Sequence, residues 1–483
     1  MEYVWIFGAT GDLSRKKLLP ALARLMAEGR ELIVVGVGRK QVRHSVFRTY
    51  VAQTCEQVCG VHLDGLLERL YYVRMDFEPL DQPEDPGTLR AQADLLALKM
   101  ELEATYGPAT RSLFVLATMP EYFAKVAGAI KRSGIAYEPG SALLLEKPFG
   151  YDLESAIAFN EGVREHFEEK SIFRIDHYLG KAMLRSLFTL RFSNAIFDAV
   201  WCKDYIEEVR IVALETIGIE GRGAYYDQAG ALRDMAQNHM LQMAALVAME
   251  APEILRPEAV RTSKIKAMSQ MKLDPEQCRF GQYVASEGTK GFLEEEGIPP
   301  QSTTETFAEL TLELDAPRWR GVPFKLVTGK RLSEKRTAIE IQMKATKLAG
   351  QLGAQIAPNL IEIKVQPEEG VQIRFNVLEP GAEAVVVERE LDYCQNCLIG
   401  ERSPEAYEKL LLDALNDDLT LFTSWGEIEQ AWKLMDPLVN YIRNNPDQLL
   451  RYEAGCNETL TWKPEAGHPE TQIMKEGEAN ETL

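Results

Sequence analysis

With 483 residues, 46% of them hydrophobic and 26% charged, the chain exceeds what one compact core supports and predicts two globular domains. The 54 Lys and Arg against 73 Asp and Glu leave a net charge of −19, which excludes nucleic acid and anionic membrane as partners, since their phosphates would be repelled. No apolar run is long enough to span a bilayer, and any phosphate-bearing ligand requires a local basic pocket.

Met1-Glu2 leads directly into the apolar run Tyr3 to Phe7, without a basic leader or a small-residue cleavage site, so a cytoplasmic location is expected. Val4 to Phe7 reads as a buried strand ended by Gly8. Leu18, Leu22 and Leu25 follow at helical spacing within Asp12 to Met26, and Leu32 to Val37 is a second apolar strand. Strand, helix and strand in this order open a doubly wound parallel sheet, a Rossmann-like arrangement. The joint between the first strand and helix is Gly8-Ala9-Thr10-Gly11-Asp12-Leu13. Its glycines let the backbone approach a pyrophosphate, which the helix N-terminus favours. NAD enzymes place an acidic residue after the second strand to accept from the ribose 2′-hydroxyl, but here Gly38, Arg39 and Lys40 stand there. Arg39 can grip a 2′-phosphate through two hydrogen bonds and stack on the adenine, and Thr10 can add a hydroxyl. The pattern favours NADP and leaves NAD open as a secondary cofactor.

Asp81 to Gly87 is a loop by its prolines and charge; Leu113 to Ala117, Glu121 to Ile130 and Leu143 to Leu145 continue the alternation of strand and helix. Glu146-Lys147-Pro148-Phe149-Gly150 closes the last parallel strand, at the carboxyl edge where ligands of such sheets bind. Lys147 can therefore stand between cofactor and substrate, and the isomer of the Lys147-Pro148 bond is undetermined. Ile172 to Ile175 is extended and runs into Asp176, His177, Tyr178 and Lys181. If Leu179-Gly180-Lys181 opens a helix, His177, Tyr178 and Lys181 crowd its first turn, where two cationic donors and a phenol make a phosphate site. Asp176, pointing to the opposite face of the extended run, is expected to serve something else.

Beyond about residue 176 apolar and polar residues mostly alternate, in Glu207 to Glu215, Thr306 to Leu314, Ala338 to Lys344, Leu360 to Gln366 and Val371 to Val377. Such alternation predicts a large, mostly antiparallel sheet with one wet face, flanked by helices at Asp227 to Met249 and from Pro404 towards Arg443. The expected divisions are a dinucleotide-binding α/β domain at 1–176, an α+β domain at 177–462 and a loose polar tail at 463–483.

His239, one of six histidines, lies among Met, Leu and Ala on the first of these helical stretches. Asp234 precedes it by five residues, about 140° around an α-helix and ~7.5 Å along it, so the two can reach different parts of one ligand. A histidine titrates near neutrality, which suits a base removing a hydroxyl proton as hydride leaves the same carbon. Cys394-Gln395-Asn396-Cys397 has the spacing of a redox pair or half a metal site, but no second pair and no nearby His accompany it; it is read as a structural coincidence, and no metal site is expected.

The segment Arg174-Ile175-Asp176-His177-Tyr178-Leu179-Gly180-Lys181 resembles that of glucose-6-phosphate dehydrogenases. So do Glu215 to Gly230 with its Gly221-Arg222-Gly223, Gly281-Gln282-Tyr283, Ser302 to Phe307, Arg318 to Phe324, Thr328-Gly329-Lys330 and Val365-Gln366-Pro367, over residues 3–455 or so. The resemblance implies oxidation of glucose 6-phosphate at C1 to the lactone by NADP, the first step of the oxidative pentose phosphate pathway. It implies His239 as general base with Asp176 as its carboxylate partner. It implies His177, Tyr178 and Lys181, helped by Lys335, on the 6-phosphate. Glu215, Asp234 and Lys330 would hold sugar hydroxyls, and Lys147 would touch both substrate and cofactor. A homodimer or homotetramer is implied as well. The chain departs from the family at Ala182, where relatives carry Glu, and at Tyr452 to Asn457, looser than the usual ending. The rivals are an NADP-linked dehydrogenase of another sugar, against which the phosphate cluster argues, and a NADP sensor without turnover, which would need no base.

Overall fold

The computed structural model of the chain describes residues 1–59, 63–137, 140–286, 288–347, 356–380, 385–398 and 405–457, so the expected tail at 463–483 lies outside the described residues. Six strands form the first sheet: β1 (Glu2–Phe7), β2 (Leu32–Gly38), β3 (Leu70–Arg74), β4 (Arg111–Leu116), β5 (Ser141–Leu145) and β6 (Ile172–Arg174). All pair in parallel in the order β3-β2-β1-β4-β5-β6. This is the order of dinucleotide-binding folds, with the crossover point between β1 and β4. β1 and β2 are apolar almost throughout because helices cover both faces, and two separate cores result, around Trp5 and Phe114 on one side and Val4 and Ile6 on the other. One expectation is corrected: the strand ending at Leu145 is not the last parallel strand, since β6 pairs beyond it.

The second sheet contains β7 (Ile206–Leu214), β8 (Met271–Leu273), β9 (Arg279–Val284), β10 (Phe307–Leu314), β11 (Phe324–Gly329), β12 (Arg336–Met343), β13 (Leu360–Gln366), β14 (Gly370–Leu378), β15 (Val386–Cys394) and β16 (Leu449–Glu453). They run β15-β14-β13-β12-β7-β11-β10-β9-β16, with β8 against β10. Most pairs are antiparallel; β7–β11 and β9–β16 are parallel. Helices pack on the face carrying Val209, Ile211, Leu310, Phe324 and Ile341, which form one large core with the buried stretch Leu241–Ala248.

Two late helices cross back to the first sheet. Ala406–Leu415 buries Leu410, Leu411 and Ala414 against Leu19 and Leu22, whereas Trp425–Asn444 buries Ile428 and Trp432 in the core around Trp5. Lys147 and Asp176, which follow β5 and β6 of the first sheet, meet Asp234 and His239 from beyond it.

Cys394 and Cys397 are joined in a disulfide at the end of β15, which corrects their reading as a coincidence of spacing.

Candidate active site

At the end of β1, Gly8 has φ of +90°, and a Cβ there would drive into the carbonyl oxygen of Ala117. The turn is fastened by Gly8 and Ala9 N–H groups donating to Val37 O at 2.8 and 3.1 Å, and by Gly11 N–H donating to Gly8 O at 2.9 Å. Leu13 caps a wide first turn, Ser14–Leu18, and Tyr50 donates to Thr10 O at 3.2 Å. The close-packed turn, bare of side chain at Gly8 and Gly11, can admit a pyrophosphate against its backbone. Asp12 is exposed and pairs with Arg15 and Lys16 of its own helix at 2.5 and 2.9 Å, so its carboxylate is committed there. Arg39 and Lys40 are exposed beyond β2, and nothing acidic replaces them at that position.

The chemical end is built from three elements. Asp176 and His177 follow β6, which stops at Arg174, so strand alternation does not reach them and both lie beside His239. His239 Nδ1 stands 2.6 Å from Asp176 Oδ1, which also accepts from Tyr178 N–H at 2.9 Å. Both side chains are almost fully buried, at 1% and 3% exposure. Since the carboxylate accepts from Nδ1–H, the lone pair of His239 is on Nε2, where Lys147 Nζ donates at 2.9 Å. Lys147 also holds Asp234 Oδ1 at 3.2 Å, and its bond to Pro148 is cis.

Asp234 and His239 share this lysine because Leu232–Met240 is a π-helical segment. Hydrogen bonds from i to i+5 widen the turn and bring residues five apart onto one face, which corrects the α-helical spacing expected from sequence. Gly230, at φ +62°, admits the segment: a Cβ would meet the Glu305 carboxyl, which accepts from Leu232 N–H at 2.9 Å.

Burial governs the protonation states. It raises Asp176 to about 6, against the opposing influence of His177, the Tyr178 N–H, Lys147 and Lys264. It pushes His239 well below its ordinary value, with Lys147 adding to the effect, so the imidazole is neutral. Burial would also raise Asp234, but the charges of Lys147 and Lys330 and the hydrogen bond from Lys147 outweigh it and hold the carboxyl down at about 2. Burial, together with His239 and Lys147, pushes His177 down to about 3. His177 is thereby held neutral, with one N–H to donate.

Lys181 caps the helix Ala182–Phe192, with its N–H donating to Tyr178 O at 2.8 Å. The helix thus opens one residue later than the expected first turn, with Ala182 as its first residue. Tyr178 is buried, and Gln366 Nε2 donates to its hydroxyl at 3.3 Å and to Thr337 Oγ1 at 3.0 Å. Lys335 is exposed two residues before Thr337. Glu215, just past β7, is ion-paired with Lys330, just past β11, and Tyr225 donates to Asp234 Oδ1 at 3.2 Å. Tyr452 of β16 donates to Lys330 O at 2.7 Å, so the looser C-terminal ending supports a site residue from behind. Gln366, Thr337, Tyr225 and Tyr452 were not foreseen as site residues. Gln366 and Tyr225 lie within segments quoted for the resemblance, whereas Thr337 and Tyr452 carried no site signal.

Asp176, His177 and His239 bring three potential metal ligands within 4.8 Å of one another. The ammonium 2.9 Å from His239 Nε2 opposes a cation there, and a hydrogen-bonded base is the reading this geometry favours.

Glu305 offers a stability test. Burial raises its carboxyl from 4.5 to about 7. A raised folded value means the associated stability is full below the unfolded value and is lost as pH climbs through the folded one. Glu305→Gln keeps the acceptor for Leu232 and cannot ionise. Its unfolding free energy should therefore match the wild type at acid pH and exceed it above about pH 7, the gap approaching roughly 3 kcal/mol, measured by urea unfolding across pH.

Comparison with known proteins follows the same two parts. Residues 5–186 match the family model "Glucose-6-phosphate dehydrogenase, NAD binding domain", and residues 188–468 match "Glucose-6-phosphate dehydrogenase, C-terminal domain". The chain is 39% identical to glucose-6-phosphate 1-dehydrogenase of Bacillus subtilis, over 93% of each chain. Its structure is similar to a glucose-6-phosphate dehydrogenase solved in complex with its substrate glucose-6-phosphate, at TM-score 0.86 and 33% identity, covering 96% of this chain and 95% of that one. A second likeness is to glucose-6-phosphate 1-dehydrogenase from Mycobacterium avium, at TM-score 0.78 and 30% identity, covering 94% and 95%.

Proposed function

The chain belongs to the glucose-6-phosphate dehydrogenase family, and from that premise we propose that it oxidises D-glucose 6-phosphate to 6-phospho-D-glucono-1,5-lactone with NADP. The observation that carries the reading is the hydrogen-bonded run Asp176–His239–Lys147 where the carboxyl ends of β5 and β6 meet the second domain. NADP, when bound, supplies the nicotinamide that accepts a hydride from C1. His239 Nε2 takes the proton of the C1 hydroxyl, and Asp176 steadies the ring and the imidazolium that forms. Lys147, which donates to that lone pair, must yield it to the hydroxyl and can then contact substrate and cofactor. Glu215, Asp234 and Lys330 present charged groups to the sugar hydroxyls. His177, Tyr178 and Lys181 receive the phosphate, with Lys335 reaching in from the start of β12.

Gly8, Thr10, Gly11, Asp12 and Leu13 hold the pyrophosphate, and Arg39 the 2′-phosphate. The reaction is the first step of the oxidative pentose phosphate pathway, placed in the cytoplasm. Self-association into a dimer or tetramer is supported by Leu378, Val385, Leu391 and Tyr393, large apolar side chains exposed on β15, β14 and their connection.

Initial rates with glucose and glucose 6-phosphate, each with NADP and NAD, test the proposal. Equal rates on the two sugars would remove the phosphate site, and no turnover with any pair would favour a cofactor sensor. Arg39→Ala is expected to lower kcat/KM for NADP by about 10- to 100-fold, the worth of a bidentate charged contact, with NAD little affected. An equal loss for both cofactors would refute the assignment of Arg39.

A further inference from the structure

Behind the His239–Asp176 pair lies a second buried constellation. Lys264, on the helix Pro257–Ser269, and Glu427, in the first turn of Trp425–Asn444, are both 0% exposed, with Nζ 2.6 Å from Oε2. A fully buried ion pair is weak as a source of stability, because taking two charges out of water offsets most of their attraction. Its placement indicates another use. Glu427 Oε1 accepts from the N–H and the hydroxyl of Ser424 at 3.2 and 2.8 Å. Thr423, the preceding residue, donates its N–H to Arg174 O at 3.1 Å, two residues before Asp176. Thr423, Ile428 and Ala431 then wall a narrow cavity together with Asp176 and His239.

Asp176 Oδ1 is engaged by His239 and by Tyr178 N–H, but Oδ2 is buried and takes no hydrogen bond among the described residues. A buried carboxylate oxygen left bare needs a nearby counter-charge. We infer that Lys264 is a positioning residue for the proton-accepting pair: through Glu427 it fastens Thr423 and the 425–444 helix against Asp176, and its ammonium supplies positive charge on the closed side of that carboxylate.

The other groups around Asp176 do not take its place. Lys147 lies on the open side, committed to Asp234 and His239. His239 and His177 are held neutral by burial, and Glu146 and Tyr407 bring no positive charge. Lys264 is within reach to lower the proton affinity of Asp176, as Lys147 does.

The inference rests on His239 acting as the base, and the experiment separates the two. The pH profile of kcat/KM for glucose 6-phosphate is measured for the wild type, Lys264→Met, Lys264→Arg and the double variant Lys264→Met/Glu427→Gln, with folding checked by circular dichroism. The double variant leaves no unpaired buried charge and guards against loss of folding in the single one. In Lys264→Met the acid limb should move up by about half to one pH unit, a three- to tenfold gain in proton affinity, with KM changed less than about twofold; the double variant, which also removes the opposing charge of Glu427, should move it in the same direction by less, and Lys264→Arg should restore the limb. An acid limb that stays in place in a folded variant overturns the inference, as does loss of folding in both Met variants, which would make Lys264 a structural anchor. Absence of turnover in the wild type would instead overturn the proposed function.

Discussion

Replacing His239 with asparagine should lower kcat by about two to four orders of magnitude, the usual worth of a positioned general base, while leaving NADP affinity within about twofold. His239 Nε2 is the basic nitrogen left after Nδ1–H is given to Asp176, and it is neutral because burial disfavours the imidazolium. Asparagine can keep a donor towards Asp176 and adds no volume to a site that is almost fully closed, so the fold should survive. Its amide offers no lone pair basic enough to take a hydroxyl proton. Steady-state kinetics with glucose 6-phosphate and a fluorescence titration of NADPH measure the two quantities. A kcat within tenfold of the wild type would mean that the proton leaves by another route.

Asp176→Asn should be nearly as damaging, with kcat down by about two to three orders of magnitude and the acid limb of the pH profile displaced. Burial lifts Asp176 to about 6, so the ionised fraction, and with it the rate, falls about tenfold per unit as pH drops below that value. An amide can turn its NH2 to Nδ1, which forces the ring proton onto Nε2 and removes the base, and it cannot neutralise the imidazolium. Because the two residues act as a unit, Asp176→Asn combined with His239→Asn should cost little more than His239→Asn alone. Additive losses, or an unmoved acid limb in Asp176→Asn, would show that the carboxylate does not work through the histidine.

What was legible in the chain follows from the range over which each signal acts. Apolar runs and alternation are local, so β1, β2, β4, β5 and the strands at 206–214, 307–314 and 360–366 could be read directly from periodicity. β3 and the long helix Pro86–Tyr106, whose apolar face is indistinct, were not read. The residues from Asp176 to Lys181 stand together in sequence, which is why a site could be named from them at all.

By itself the sequence determined two folded units, a glycine turn after the first strand, basic residues where NAD enzymes carry an acid, and a phosphate-suited cluster at 177–181. The tertiary structure alone decided which of these groups meet and in what charge state. His239 reaches Asp176 across 63 residues, Lys147 reaches His239 across 92, and Lys264 meets Glu427 on a helix that returns from the end of the second domain. Spacing in sequence carries no record of such meetings, because they depend on how sheets and returning helices pack. Neutrality of His177 depends in the same way on water excluded by residues far along the chain. Periodicity reports which face of an element is buried; proton affinity depends on what else is buried with it.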